Sequence, residues 1–329
     1  MPTITLAAAH EAARTALARA GASPEMAEAT ARACVAAEAH GQTGHGLSRI
    51  PQYAMLLRGG RADGQALPRI VNEKPAACLI DAGDGLAYPA MELAVREAGR
   101  RAKAFGVGCA GVTNSGHSGV SGLHVAALAE AGLVGLMFTN SPSAMPLPGG
   151  KKPRVSTNPI AAAFPRQGAA PVVIDLALSA TARGKIMVAA KEGRSIPEGW
   201  ALDAEGKPTT DAAAALKGSM LAIGGERGLA LALLVELMAV ALTGAAFGWQ
   251  ADSFFVAEGN RPRLGQLLVA IDPAALAGDV EYLARLALLA DAAAEDGVRL
   301  PGERRTALAA KAAAQGLAVP DALWAEITG

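Results

Sequence analysis

The sequence predicts a mixed α and β protein, helical at both ends with a helix-covered sheet between them. Three observations carry this. Cap signals and helical spacing of apolar residues run through positions 5–58; from Ala76 short β-like runs alternate with helical stretches; from Asp279 the pattern is helical again. At 329 residues the chain passes the ~250–300 at which a single core stops growing, so two or three packed lobes are expected.

Taken in order, Thr5 is placed to cap a first helix. Ser23-Pro24-Glu25 supplies a cap, a first-turn proline and a first-turn acid for a second helix, which Gly41 ends. Residues 48–58 carry Ile50, Tyr53, Ala54, Leu56 and Leu57 at mostly helical spacing and stop at Gly59-Gly60. Residues 61–75 bear Pro, Gly and charge and read as a crossing, with a lobe boundary after residue 75. Beyond it, strands are expected at 77–81, 107–112, 133–139, 161–164, 172–175, 253–256 and 267–271, and helices near 91–104, 121–131, 180–191 and 229–242. Pro301 and Pro320 each stand where a helix would begin.

Composition narrows the partners. Thirty Lys plus Arg balance thirty Asp plus Glu, so no global field draws the chain to nucleic acid or an anionic membrane. The most apolar stretch, 228–248, is interrupted by Glu236 and Gly244 and reads as a buried core helix. No secretion signal is visible after Met1, so a cytoplasmic protein acting on a small molecule is expected. Cys34, Cys78 and Cys109 form no Cys-x-x-Cys pair and read as buried thiols.

Residues 106–111 spell Gly-x-Gly-x-x-Gly, with Glu130 roughly 20 residues beyond. The dinucleotide fingerprint needs a strand before the glycines and a helix after them, so that helix-start amides face the pyrophosphate. Here the apolar run contains the glycines and continues into Val112-Thr113-Asn114, so close backbone packing within a strand explains them better.

The chemistry concentrates in two places. His45, Arg49 and Tyr53 are spaced i, i+4 and i+8, which would set an acid, a cation and a phenol on one helix face if a helix began near residue 45. Reduction of a 2-oxoacid needs a cation for the carboxylate and an acid for the developing alkoxide, and histidine titrates in the useful range. The plainer alternative is a helix-start histidine capping backbone, with Arg49 solvated. The second place is residues 113–122, Thr-Asn-Ser-Gly-His-Ser-Gly-Val-Ser-Gly, joining a strand to a helix that begins near Ser121 and gathering amides and hydroxyls at its positive end. His117 and His124, two turns apart, would make a metal edge, but no His-Glu-x-x-His or cysteine pair accompanies them and no metal is expected. A metal-assisted hydrolase using His40, His45 and Asp175, or a nucleotide-binding sensor without turnover, are the rival classes.

Taken together, several segments resemble the malate/L-lactate dehydrogenase-like family, which includes sulfolactate and ureidoglycolate dehydrogenases and piperideine/pyrroline-2-carboxylate reductases. They are Gly44-His45-Gly46 with Arg49 and Tyr53, residues 114–119, Phe138-Thr139-Asn140, Thr157-Asn158-Pro159, Asp175-Leu176-Ala177, Arg183-Gly184-Lys185, residues 224–228 and residues 301–305. The resemblance covers nearly the whole chain. It implies an α+β fold without a Rossmann domain: a mostly antiparallel seven-stranded sheet ringed by helices, residues 76–278, beside a helical lobe of residues 1–75 completed by 279–329. It also implies a homodimer and a hydride exchanged between NAD or NADP and a small 2-oxoacid or 2-hydroxyacid of malate, lactate or sulfolactate type. His45 would then be the proton donor, with His117 an alternative acid/base. Arg49, Tyr53, Thr157 and Arg183 would meet the substrate. His117, Ser118, Gly119, Val120, Ser121, Asn140, Asp175, Leu176, Ala177, Arg227, Arg304 and Arg305 would lie along the cofactor. Two departures stand out: Gly44 replaces the serine common before His45, and Arg227 replaces a lysine. The imine reductases tend to carry an acid near Lys185, and its lack here favours the 2-oxoacid over a cyclic imino acid.

Overall fold

The computed structural model describes residues 3–329. Helices α1 (Leu6–Arg19) and α2 (Pro24–Ala39) begin at the predicted caps: Thr5 Oγ1 accepts from Ala8 N at 3.1 Å and Ser23 Oγ from Met26 N at 3.2 Å. Two 3-10 turns, Thr43–His45 and Leu47–Arg49, then lead into α3 (Ile50–Arg58). The further helices are α4 (Tyr88–Phe105), α5 (Ser121–Glu130), α6 (Arg183–Lys191), α7 (Ala212–Lys217), α8 (Glu226–Glu236), α9 (Asp279–Glu295), α10 (Glu303–Gln315) and α11 (Asp321–Thr328).

Seven strands form the central sheet, in the order Arg69–Lys74, Ala77–Asp81, Val107–Ser115, Leu264–Ile271, Val134–Thr139, Ile160–Phe164, Val172–Leu176. Only Ala77–Asp81 and Val107–Ser115 pair in parallel, with α4 as the crossover that parallel pairing requires; every other pairing in the sheet is antiparallel. This is the mostly antiparallel α+β sheet that the resemblance implies. Against it α4 and α5 bury one core, built on Ile80, Met91, Val112, Val125, Leu128, Met137 and Leu268. A second core joins α1, α2 and α3 to the chain's other end, packing Leu17, Met26, Leu47 and Ile50 with Ala312, Leu317, Val319 and Ile327. A third lies under α6, α7 and α8, around Met145, Leu178, Ile186, Met220, Leu229 and Val235. Among the described residues no helix is long and apolar enough to cross a membrane. The three cysteines are free, with Cys34 and Cys78 buried and Cys109 partly so.

The fingerprint glycines serve packing, as expected. Gly106 has φ +81° and ends α4 in the left-handed region. At Gly108 an added Cβ would lie 2.0 Å from Ala98 O and 2.7 Å from Ala102 N, so strand and helix touch backbone to backbone there.

Three readings need correction. The stretch 228–248 is not one buried core helix: α8 passes into a π-helical turn at Leu237–Ala241, and Leu231, Leu234, Leu237 and Leu242 are exposed because they fall on the face turned away from the core. Residues 253–256 are not a strand: their carbonyls turn onto a guanidinium instead of a ladder, as described below. Within the crossing 61–75 lies the edge strand Arg69–Lys74, exposed at all six positions, so no burial alternation marks it in the sequence.

Gly108→Ala should therefore destabilise the protein by about 1–3 kcal/mol, the range for overpacking a well-packed interior. Urea unfolding checks this, and a midpoint equal to wild type would refute the packing account.

Candidate active site

His45, Arg49, Tyr53 and His117 meet at the seam between the helical lobe and the sheet. They do not meet as one helix face. Gly46 lies between the two 3-10 turns with φ −92° and ψ −137°, breaking any helix through 45–53. Glycine is required there because an added Cβ would fall 2.1 Å from Glu38 Oε2, the atom that accepts from Leu47 N at 2.8 Å. Arg49 instead turns back: Nε donates to Gly44 O at 2.6 Å and NH1 to Gln52 Oε1 at 2.5 Å, and its guanidinium carbon lies 5.5 Å from the Phe255 ring centre. No carboxylate among the described residues pairs with it, so its second terminal nitrogen keeps its donors for a ligand.

The two imidazoles stack, with ring centres 5.3 Å apart and planes inclined by 25°. His117 is anchored: its Nδ1 is hydrogen-bonded to the Tyr53 hydroxyl at 2.7 Å, which is bonded in turn to the Tyr88 hydroxyl at 2.9 Å, and Phe254 packs edge-on at 5.5 Å. His45 has no such anchor among the described residues. Burial, then Arg49, then Arg305, depresses His45 to about 4. Burial and the same Arg49 hold His117 well below the usual imidazole range, so both rings are neutral at neutral pH.

A second group sits at the start of α5. The Asp175 carboxylate accepts from Gly122 N at 3.0 Å and lies 3.5 Å from an Arg305 terminal nitrogen. The Ser121 hydroxyl, 2% exposed, has no partner. Ser118 and Val120 are buried and Gly119 turns at φ +70° against the Tyr88 hydroxyl. Arg305 links the two groups, since its charge also reaches His45.

Other candidates fall elsewhere. Tyr53 is 1% exposed with its hydroxyl spent on His117 and Tyr88, so it positions an imidazole instead of facing a substrate. Asn140 is likewise internal: its amide donates to Glu236 Oε1 and Ala246 O, and its oxygen accepts from Gly265 N. Buried Glu236 also accepts from Asn158 and Gly248 N, knotting α8 to two strand ends. Arg183, Arg227 and Arg304 are exposed, and Arg183 reaches only Leu216 O, at 3.5 Å. Thr157 is half-buried, while Leu176 and Ala177 are exposed. His124 Nε2 donates to Ser118 O and His40 Nδ1 to Ala36 O, so each ring spends one nitrogen on the backbone. Sequence reasoning missed Gln52, Tyr88, Phe254 and Phe255. Gln52 alone had a local signal, three residues after Arg49.

A neutral, anchored imidazole beside a second one and an unpaired guanidinium is the equipment of an enzyme that moves a proton next to a carboxylate. The chain matches the malate/L-lactate dehydrogenase family over residues 4–328. It is 47% identical over 304 residues to a (2R)-3-sulfolactate dehydrogenase (NADP+) of Chromohalobacter salexigens, covering 92% of this chain and 90% of that one. It is 38% identical over 328 residues to a Δ1-pyrroline-2-carboxylate reductase of Ancylobacter novellus, covering 98% and 96%. The crystal structure of Δ1-piperideine-2-carboxylate reductase from Pseudomonas syringae pv. tomato superposes with a TM-score of 0.93 at 34% identity, covering 100% of this chain and 99% of that one. The chain belongs to the malate/L-lactate dehydrogenase family and is an NAD(P)-dependent oxidoreductase acting on small acids.

The electrostatics are directly measurable. In isotope-labelled protein the His45 ring should titrate near the value of about 4 and His117 below the ordinary imidazole range, and Arg49→Met should raise both. Imidazole resonances followed by NMR against pH decide it; rings that titrate near 6.5 and ignore the substitution would refute the account.

Proposed function

We propose that the chain interconverts a small 2-oxoacid and its 2-hydroxyacid at the His45–His117–Arg49 cluster, with NADP or NAD as the hydride carrier. The observation that carries this is the anchored, neutral His117 stacked on His45 beside an Arg49 with donors to spare. The substrates named for the relatives share a carboxylate next to a C2 that bears oxygen or nitrogen. Arg49 is suited to that carboxylate, since a guanidinium grips two oxygens at once.

The start of α5 fits a nicotinamide. The unpartnered Ser121 hydroxyl needs a polar neighbour, while Asp175 at the Gly122 amide disfavours a phosphate there and favours a neutral carboxamide. The cofactor's phosphates then fall to exposed cations, Arg183, Arg227 and Arg304, with Arg305 beside Asp175. The bound cofactor supplies or removes the hydride.

The residues supply the proton. Burial and, after it, Arg49's charge depress both imidazoles, so a substrate carboxylate that offsets the charge makes protonation easier when substrate is present. His117 is the better proton carrier, because Tyr53 holds its ring in one direction. His45, unanchored and stacked on it, is free to hydrogen-bond the substrate. This reverses the order in which the sequence ranks the two histidines. A cyclic imino acid is the second reading, favoured by the close match to the piperideine-2-carboxylate reductase.

Purified protein with NADPH or NADH should oxidise the cofactor with at least one of pyruvate, oxaloacetate, sulfopyruvate or a five- or six-membered cyclic imino acid. His117→Gln should lower kcat by about 100-fold or more, the scale of a lost general acid, while His45→Gln should act mainly on substrate KM. Folded protein that turns over no pair, yet binds cofactor, would replace the enzyme with a nucleotide sensor.

The proposed working unit is a homodimer. Leu231 and Leu234 along α8 and Leu237 just beyond it are each about 45% exposed, and α9 buries none of its residues while presenting Val280, Leu288 and Leu289. Exposed large apolar side chains gathered on single helices in this way suit an interface between two copies of the chain. Light scattering should give twice the mass of the chain, and Leu234→Glu should shift the population to single chains; a monodisperse monomer would end this part of the reading.

A further inference from the structure

The buried Arg61 has no evident place in the cluster above, yet it is among the most completely buried large side chains, 2% exposed. It follows the Gly59-Gly60 turn at the end of α3, and no carboxylate among the described residues pairs with it. Burying an unpaired guanidinium costs several kcal/mol unless its donors are met. Here they are met by one loop: Nε donates to Asn260 O at 2.9 Å, NH1 to Ser253 O at 2.8 Å and Val256 O at 2.7 Å, and NH2 to Asp252 O at 3.3 Å. Carbonyls that converge on one point cannot form a ladder, so the guanidinium acts as the template on which residues 252–260 are wound. Gly59 lets the loop lie against α3, since an added Cβ would sit 2.8 Å from Ala257 O. On its outer side the loop is closed by Asn260, whose side-chain oxygen accepts from Asp252 N and whose amide donates to Gln250 O.

What the loop carries is the back wall of the active site. Phe254 packs edge-on to His117, and its carbonyl accepts from Gln52 Nε2 at 2.8 Å. Gln52 Oε1 in turn receives Arg49 NH1, and the Arg49 guanidinium lies over Phe255. We propose that Arg61 is a positioning residue of the reaction: by winding the 252–260 loop it sets, through Phe254 and the Gln52 bridge, where His117 and Arg49 stand relative to one another. None of these contacts reaches Ser121 or Asp175. The inference rests on the proposed reading of that cluster as the site of acid turnover.

Arg61→Lys keeps the charge but offers three donors from a single nitrogen, too few and too compact for four spread carbonyls. It should lower kcat/KM for the acid substrate by about 10-fold or more, because displacements of about 1 Å are felt strongly in catalysis, while KM for the cofactor stays within about 2-fold. Asn260→Ala loosens the same loop from its exposed end without emptying a buried site, and should reproduce the split at lower amplitude; it decides the matter if Arg61→Lys does not fold. Millimolar guanidinium added to Arg61→Ala should restore part of the lost kcat/KM, which it would not do for a general loss of stability. Acid kcat/KM within about 2-fold of wild type in the folded variants, or a cofactor KM that rises in step with the acid's, overturns the proposal. A wild-type protein that turns over no acid removes the underlying reading instead.

Discussion

The cluster is organised around a cation, Arg49, that no carboxylate among the described residues neutralises. Arg49 is held by a backbone carbonyl and a neutral amide, and after burial its charge is the next influence that lowers the two imidazoles beside it. An aspartate in place of Gln52 would satisfy the guanidinium better in the free protein and would leave the rings nearer their ordinary range. It would also occupy the donors that an incoming carboxylate needs. On the proposed reading, the neutral amide leaves Arg49 donors for an anionic substrate and couples the arrival of that anion to the protonation of an imidazole.

Much of the fold was legible because its signals are local. Thr5, Ser23 and Pro24 mark helix starts through bonds three residues long, and the strand at 107–115 announces itself through a run of small and β-branched residues. The refusal of the dinucleotide fingerprint was also local, since it needed only the order of strand and glycines. What was not legible depends on partners distant in the chain. Residues 253–256 have strand-like composition, but Arg61 claims their carbonyls from nearly 200 positions away. Asn140 looks like a strand-end ligand until Glu236 is seen to hold its amide. Spacing brought His45, Arg49 and Tyr53 into one hypothesis, and they do converge, yet by a glycine-broken turn and not by a helix.

The seam itself explains why such distant partners are needed. His45, Arg49 and Tyr53 come from the helical lobe, while His117 and Ser121 come from the turn between a sheet strand and α5. Arg305 arrives from the chain's other end, and Phe254 and Phe255 from the loop before the last strand of the sheet. No single element can set the distance between the acid and the carboxylate anchor, because they ride on different bodies.

Two kinds of tie fix that distance. Tyr53 reaches from α3 to His117 and Tyr88, a polar bond across the seam that is buried and so is expensive to break. The 252–260 loop fastens from the other side, locked to α3 by Arg61 and touching both His117 and Arg49. The α5 group adds bonds of its own: Asp175–Gly122 and Asp175–Arg305 join the sheet edge to α5 and α10, while Gly119 packs against the Tyr88 hydroxyl of the first tie. The loop tie is independent of that group, since Arg61, Gln52 and Phe254 touch neither Ser121 nor Asp175, so on the proposed reading the acid site can be perturbed from the loop while the cofactor site stays intact.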